Sequence, residues 1–243
     1  MKKLLIYLAY KYRGNNFEIW KALKNKEKIN VDEFELFSKS MEQNSIKPIT
    51  IYDIEYPESL RKYNDSPYVL FCKGDINLLK NDSICLTGDI NNEKIQDYLN
   101  ESLPILKQRN KTLIVGTYKE VDKEIIKYYR DHKLDIIHVI PSGFDYFNQP
   151  MYSNELYISQ YPNACHIKYN RLREKNCLIA KMSNFLIIYS SKLKSSIQNM
   201  VSYFLELGKE VYCYPGINKN DGNSLLIQEG ANVLKNNFKI AYF

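Results

Sequence analysis

A change of rhythm near residue 46 limits the fold of this chain more than any other feature. Beyond it, short apolar runs alternate with longer amphipathic stretches. The runs are YVLFC (68–72), SICLTG (83–88), KTLIVG (111–116), LDIIHVI (134–140), ELYIS (155–159), NFLIIY (184–189), EVYCYPG (210–216) and FKIAYF (238–243). Runs of this length, rich in β-branched and aromatic residues, read as strands. The stretches near 91–108, 119–132, 175–182, 194–208 and 222–231 read as helices. Strand, helix, strand, repeated, predicts an α/β fold with a mainly parallel sheet and helices on both faces, because parallel neighbours need a crossover between them. The chain has 243 residues, 44% of them hydrophobic, enough for one sizeable core.

Residues 1–45 show no strand pattern. LLIYLAYKY, FEIWKAL and VDEFELFSKSM place apolar residues at helical spacing, punctuated by Gly14-Asn15-Asn16 and Asn30. This predicts a small helical region, 1–45, ahead of an α/β domain over 46–243, with Phe17 and Trp20 in the core of the helical part. The opening MKKLLIYLAYKYRG has too short an apolar stretch for a leader and no small-residue cleavage site. No apolar run is long enough for a membrane span. The expectation is a soluble, cytoplasmic protein with no membrane contact.

The five cysteines are scattered without framework spacing and read as reduced thiols, with Cys72, Cys85 and Cys213 in the core. The three histidines have no metal-ligand spacing, and His138 within LDIIHVI reads as a packed core residue. No cofactor is indicated: GxGxxG is absent, as is a Walker-type Gly-Lys-Ser/Thr.

The net charge of +6 permits a polyanionic partner without requiring one. Between Lys168 and Lys194 there are seven Lys or Arg and one acid, Glu174, flanking the strand-like NFLIIY. Cations gathered where a sheet delivers a loop suit a phosphate backbone; a solvated lysine-rich loop is the alternative. In open parallel sheets, ligands sit beyond the carboxyl ends of the strands. That rule selects Gly88-Asp89-Ile90, Gly116-Thr117-Tyr118, Ser142-Gly143, the loop before Asn184, and Pro215-Gly216. Gly88, Gly116, Gly143 and Gly216 are therefore candidate site-lining positions.

Eight segments, in order, resemble the DNA-processing protein A (DprA, or Smf) family. YPESL (56–60) begins the match, and SPYVLFCKGDINLL (66–79) resembles P-x-x-L-F-x-K-G-D. LIVGTYKEVD (113–122) falls where the family has S-G-x-A-x-G-I-D, and PSGFDYF (141–147) resembles a G-L-D loop. SQYP (159–162) resembles S-E-Y-P, and LREKNCLIAKMS (172–183) resembles F-P-x-R-N-R-I-I-A-G-L-S. GKEVYCYPG (208–216) resembles G-R-x-V-x-A-V-P-G, and GNSLLIQEGA (222–231) resembles G-x-N-x-L-I-x-x-G-A. The resemblance implies an extended Rossmann-like domain, single-stranded DNA binding, a homodimer, and loading of the recombinase RecA during recombination or transformation, with no catalytic reaction.

Departures fall on polar and glycine positions. The family's Gly-Ser-Arg is Gly88-Asp89-Ile90 here, so an acid stands beside a lost arginine. Its Arg-Asn-Arg is Lys175-Asn176-Cys177. The Ser-Gly-Ser/Thr helix start is Lys194-Ser195-Ser196. The DNA-contact candidates implied are Lys175 and Asn176, with Arg171 and Arg173 compensating for the charge missing at Cys177. Lys194 and Ser195 stand at a helix start whose amides suit an anion, and Lys119 follows Gly116. Tyr118 is a candidate base-stacking platform, and Asp122 a holder of loop geometry. Two other functions stay open. A degenerate relative would keep the fold for protein–protein contact. An enzyme of the phosphoribohydrolase class would need a Gly-Gly-x-G-T-x-x-E motif, which is absent.

Overall fold

The computed structural model describes residues 1–147, 150–218 and 220–234; the strand expected at 238–243 lies outside them. The chain forms two compact units, Met1–Lys80 with His138–Lys175, and Asn81–Ile137 with the chain from Asn176 onward. The first unit opens with helices α1 (Lys2–Lys11), α2 (Asn16–Lys24) and α3 (Val31–Gln43). Strand β1 (Lys47–Thr50), the single turn α4 (Glu58–Arg61) and β2 (Val69–Gly74) follow. The second unit takes over with β3 (Ser83–Gly88), α5 (Glu93–Gln108), β4 (Thr112–Val115) and α6 (Glu120–Asp131). Strand β5 (Ile136–Val139) begins in the second unit and ends in the first. β6 (Glu155–Ser159) belongs to the first, and α7 (Tyr169–Met182) begins in the first and ends in the second. The second unit continues with β7 (Leu186–Ser190), α8 (Ile197–Glu206), β8 (Val211–Cys213), α9 (Gly222–Gln228) and β9 (Asn232–Val233).

In the second unit β4, β3, β7, β8 and β9 lie side by side in that order, each pair parallel. Alternation along β3 explains how both faces are covered. Ile84 and Leu86 share a core with Ile95, Leu99, Leu103 and Leu106 of α5 and Val121, Ile125 and Tyr129 of α6. Those helix residues recur every three or four positions, one stripe on each helix. Cys85, between the two strand residues, faces the other way, its sulfur 3.5 Å from that of Met200 on α8. Cys72, Cys85 and Cys213 are buried, as expected of core thiols.

The first unit departs from the parallel rule. β1 pairs antiparallel with β2, and β2 antiparallel with β6, which needs no crossover helix. β1 carries Pro48, a residue tolerated in a strand with a partner on one side only, and this weak pattern hid it from the sequence. Its three helices are those expected. Asn15 caps α2 by accepting from the amides of Phe17 (3.0 Å) and Glu18 (3.2 Å), and Asn30 caps α3. Leu5, Leu8, Ile19, Phe37 and Met41 pack with Ile46, Val69 and Phe71.

Phe17 and Trp20 do not belong to that core. They are 65% and 42% exposed, and stack on each other at 5.9 Å. Ile19 and Ala22 take the inner stripe of α2, which leaves Phe17 and Trp20 on the outer one with Lys21 and Lys24. The Lys24 ammonium sits 4.0 Å from the Trp20 ring centre. Residue size suggested burial, but the helical period decided it. His138 is wholly buried, as expected. Its Nε2 lies 3.1 Å from Glu155, and its ring stacks on Tyr157.

Candidate functional site

The carboxyl ends of β3, β4 and β7 deliver three loops to one corner of the second unit. Asp122, in the first turn of α6, organises two of them. It is buried and accepts from the Thr87 hydroxyl (2.8 Å), the Gly88 amide (3.3 Å), the Lys119 amide (3.3 Å) and the Thr117 hydroxyl. Burial pushes its carboxyl up, to about 6, against the pull of those donors. Loop geometry is thus written into one carboxylate. Ser190, ending β7, ties the third loop: its hydroxyl accepts from the Ile90 amide (2.9 Å) and donates to the Ile90 carbonyl (2.8 Å).

On this frame Lys119 and Ser195, two of the expected contact residues, come together, the ammonium 3.1 Å from the hydroxyl. They arrive from the loops after β4 and β7. Between them lies Asp89, from the loop after β3. Its carboxylate pairs with Lys119 and accepts from the Lys192 amide at 2.9 Å. Burial pushes the Asp89 carboxyl up, but Lys119, Ser195 and the Lys192 amide more than offset this and hold it below the usual carboxylate range. Lys192 and Lys194 are exposed on the same loop. The Ser195 hydroxyl also accepts from the Ile197 amide (3.0 Å) at the start of α8, the helix start expected there.

The glycines earn their place by close approach rather than by torsion. A Cβ on Gly88 would stand 2.9 Å from a Val121 methyl and 3.0 Å from the Ser190 hydroxyl. One on Gly216 would strike the side chains of Ser224 and Asp221. Gly116 follows β4 directly, half-buried. Gly143 belongs to the first unit, where a Cβ would lie 2.5 Å from the Pro162 carbonyl.

The basic residues of α7 fare differently. Arg171 is 7% exposed. Its guanidinium donates to the His166 carbonyl (2.5 Å) and lies 4.5 Å from the Tyr161 ring centre. Lys175 and Asn176 are 4% and 6% exposed, and the Asn176 side-chain oxygen has no hydrogen-bond partner among the described residues. Arg173 is exposed. Glu174, the one acid of the stretch, accepts from the Tyr161 hydroxyl and from Gln160 (2.8 Å).

Sequence reasoning passed over three further polar residues that shape the second unit. Asn223 is buried at the start of α9. Its amide nitrogen reaches the carbonyls of Ile188 and Tyr189 (both 3.2 Å) and Tyr214 (3.0 Å), and its oxygen accepts from Ser191 (2.7 Å). It therefore ties the ends of β7 and β8. Asp221 caps α9 through the Ser224 amide (2.8 Å) and holds the amides of Ile217 and Asn218. Lys209 donates to the carbonyls of Ala180, Lys181 and Ser183, at 2.7, 2.9 and 2.6 Å, closing the carboxyl end of α7. Only the Asp-Gly-Asn run at 221–223 gave a sequence-level hint, as a helix-start signal. Among the described residues no cluster of His, Cys, Asp and Glu could hold a metal ion, and no helix is long and apolar enough to cross a membrane.

A model of the DNA recombination-mediator protein A family matches residues 47–243. The DNA processing protein DprA of Streptococcus pneumoniae is 28% identical over 208 residues, 80% of this chain and 73% of that protein. The DprA of Bacillus subtilis is 25% identical over 208 residues, covering 79% and 69%. In fold, the S. pneumoniae DprA crystal structure matches with a TM-score of 0.74 at 20% identity, over 99% of this chain and 92% of that one. DNA processing protein A from Helicobacter pylori matches at 0.67 and 20% identity, over 81% and 94%. Since the family match runs from β1 through every strand of the parallel sheet, this chain is a divergent member of the DNA recombination-mediator protein A family, with a DNA-processing role.

Proposed function

We propose that this protein binds single-stranded DNA at the strand-end corner of its second unit and acts as a recombination mediator, without catalysing a reaction. The observation that carries the reading is the meeting of Lys119 and Ser195 beside the exposed Lys192 and Lys194, at the start of α8. Ammonium groups neutralise phosphates, and the first amides of a helix have no partner inside it. The relative from H. pylori, whose structure concerns single-stranded DNA binding, supports the same ligand class. Gly88 and Gly116 stand at the strand ends that open this corner, whereas Gly216, past β8, packs against Ser224 and Asp221. Arg173 offers a separate exposed cation in the first unit, where Gly143 shapes a loop. Arg171, Lys175 and Asn176 support α7 more than they face a strand. The α/β region, 46–243, carries the contact, and we extend the reading to a cytoplasmic homodimer that delivers the strand to RecA.

Fluorescence anisotropy with a short labelled single strand, at low and at near-physiological salt, tests this. The expected result is binding whose logarithm falls with log salt by about 0.7 for each phosphate neutralised. Absence of binding at low salt would overturn it. A second reading, a protein that keeps the fold for protein–protein contact, draws on the Asp89–Lys119 pair and the burial of Arg171. Retention of RecA on the immobilised protein without DNA, together with a null titration, would select it.

A further inference from the structure

Asp89 sits where an incoming anion would have to sit. Its carboxylate takes two donors from two other loops, the Lys119 ammonium and the Lys192 amide, and the Ser195 hydroxyl stands beside them, 3.1 Å from that ammonium. An ammonium, a hydroxyl and a loop amide converging within reach of one oxygen pair form the donor set that holds a phosphate oxygen. The backbone of Asp89 is itself fixed. Its amide donates to the Ser190 carbonyl at 3.0 Å, and the next residue, Ile90, is tied to the Ser190 hydroxyl on both sides. Gly88, just before, has no room for a side chain. The carboxylate therefore cannot swing aside by a backbone shift without breaking these bonds. The side chain is 9% exposed and that of Lys119 20%, so the pair is largely shielded from solvent screening.

We propose that Asp89 is a resident anion. It fills the Lys119–Ser195–Lys192 donor site, so a phosphate group enters only in its place and the corner grips a nucleic-acid backbone more weakly than its lysines suggest. This rests on the reading that the corner meets phosphates, but it concerns one residue and is separable from that reading.

The test compares the full chain with Asp89→Asn and Asp89→Ser. The asparagine keeps an oxygen for the Lys192 amide and removes the charge; the serine removes the occupant as well. Two probes are used: the labelled single strand in anisotropy, and inorganic pyrophosphate in a thermal-shift assay, which reads ligand binding even in a variant of lowered stability. The expected result is strand binding tightened about fivefold or more, the factor that one like charge at close range is worth even in water-like surroundings, with a steeper salt slope. Pyrophosphate should raise the melting temperature of both variants and leave the parent unmoved. Adding Lys119→Met to Asp89→Asn should abolish the gain. If neither protein binds the strand but the variants gain pyrophosphate stabilisation, the resident anion stands and the DNA reading falls. If the variants gain with neither probe, or bind more weakly than the parent, the proposal is overturned.

Discussion

The start of α7 and the strand-end corner of the second unit both looked, from sequence, like cations waiting for a phosphate. They solve opposite problems. In α7 one of the two arginines expected to make up for the missing motif charge is part of the scaffold: Arg171 lies buried against Tyr161 with its guanidinium on a backbone carbonyl. In the corner Lys192 and Lys194 remain exposed, while Lys119 is largely shielded and held by an acid from a neighbouring loop. A formal charge counts toward a ligand only if its desolvation and its partners leave something over. Charge density along a chain reports neither.

This contrast can be broken most directly at Arg171. Arg171→Ala should cost about 2–4 kcal/mol, since it removes a buried guanidinium, orphans a carbonyl and uncovers Tyr161. Arg173→Ala, two residues on and exposed, should cost under about 0.5 kcal/mol. Urea denaturation of both variants checks this. Equal, small costs would mean that α7 is not held by its arginine.

The corner's own frame is sharpened by pH. The folded carboxyl of Asp122 lies at about 6, above its unfolded value, so the folded state binds the extra proton. Its contribution to stability is therefore fullest below the unfolded value and is lost as pH rises through about 6. The stability of the parent relative to Asp122→Asn should fall by roughly 2 kcal/mol between pH 4 and pH 7. Denaturation curves at several pH values measure it; a difference that is flat with pH would show that the carboxyl is not buried as described.

A smaller effect than that at Asp122 concerns a lysine that supports a helix rather than a ligand. Lys209→Met should lower stability by about 1–2 kcal/mol through loss of three carbonyl contacts at the end of α7. Strand affinity, read by anisotropy, should not change. A loss of affinity with stability intact would move Lys209 from the scaffold to the site.

Much of this architecture was legible because it is repetitive. The strands at 83–88 and 155–159 have the same bounds in the sequence reading and the structure, and α5 and α6 agree to within two residues, since burial imposes a period on each element. The edges were harder. β1 contains a proline and only four residues, and β9 two, too few for any period to register. Phe17 and Trp20 failed for a related reason: their size invited a core assignment, while Lys21, four residues past Phe17, and Lys24, four past Trp20, marked the same stripe as outward.

The order of apolar runs and the motif sequence determined the α/β class, the family and the loops from which a site could be built. Those are local properties, carried by neighbours in the chain. Which cations face solvent, and which acid answers them, was decided only by folding. Asp89, Lys119 and Ser195 are 30 and 76 residues apart in the chain, and meet because parallel strands bring their carboxyl ends to the same side. Electrostatics depends on distance and on burial, and neither exists until the sheet does.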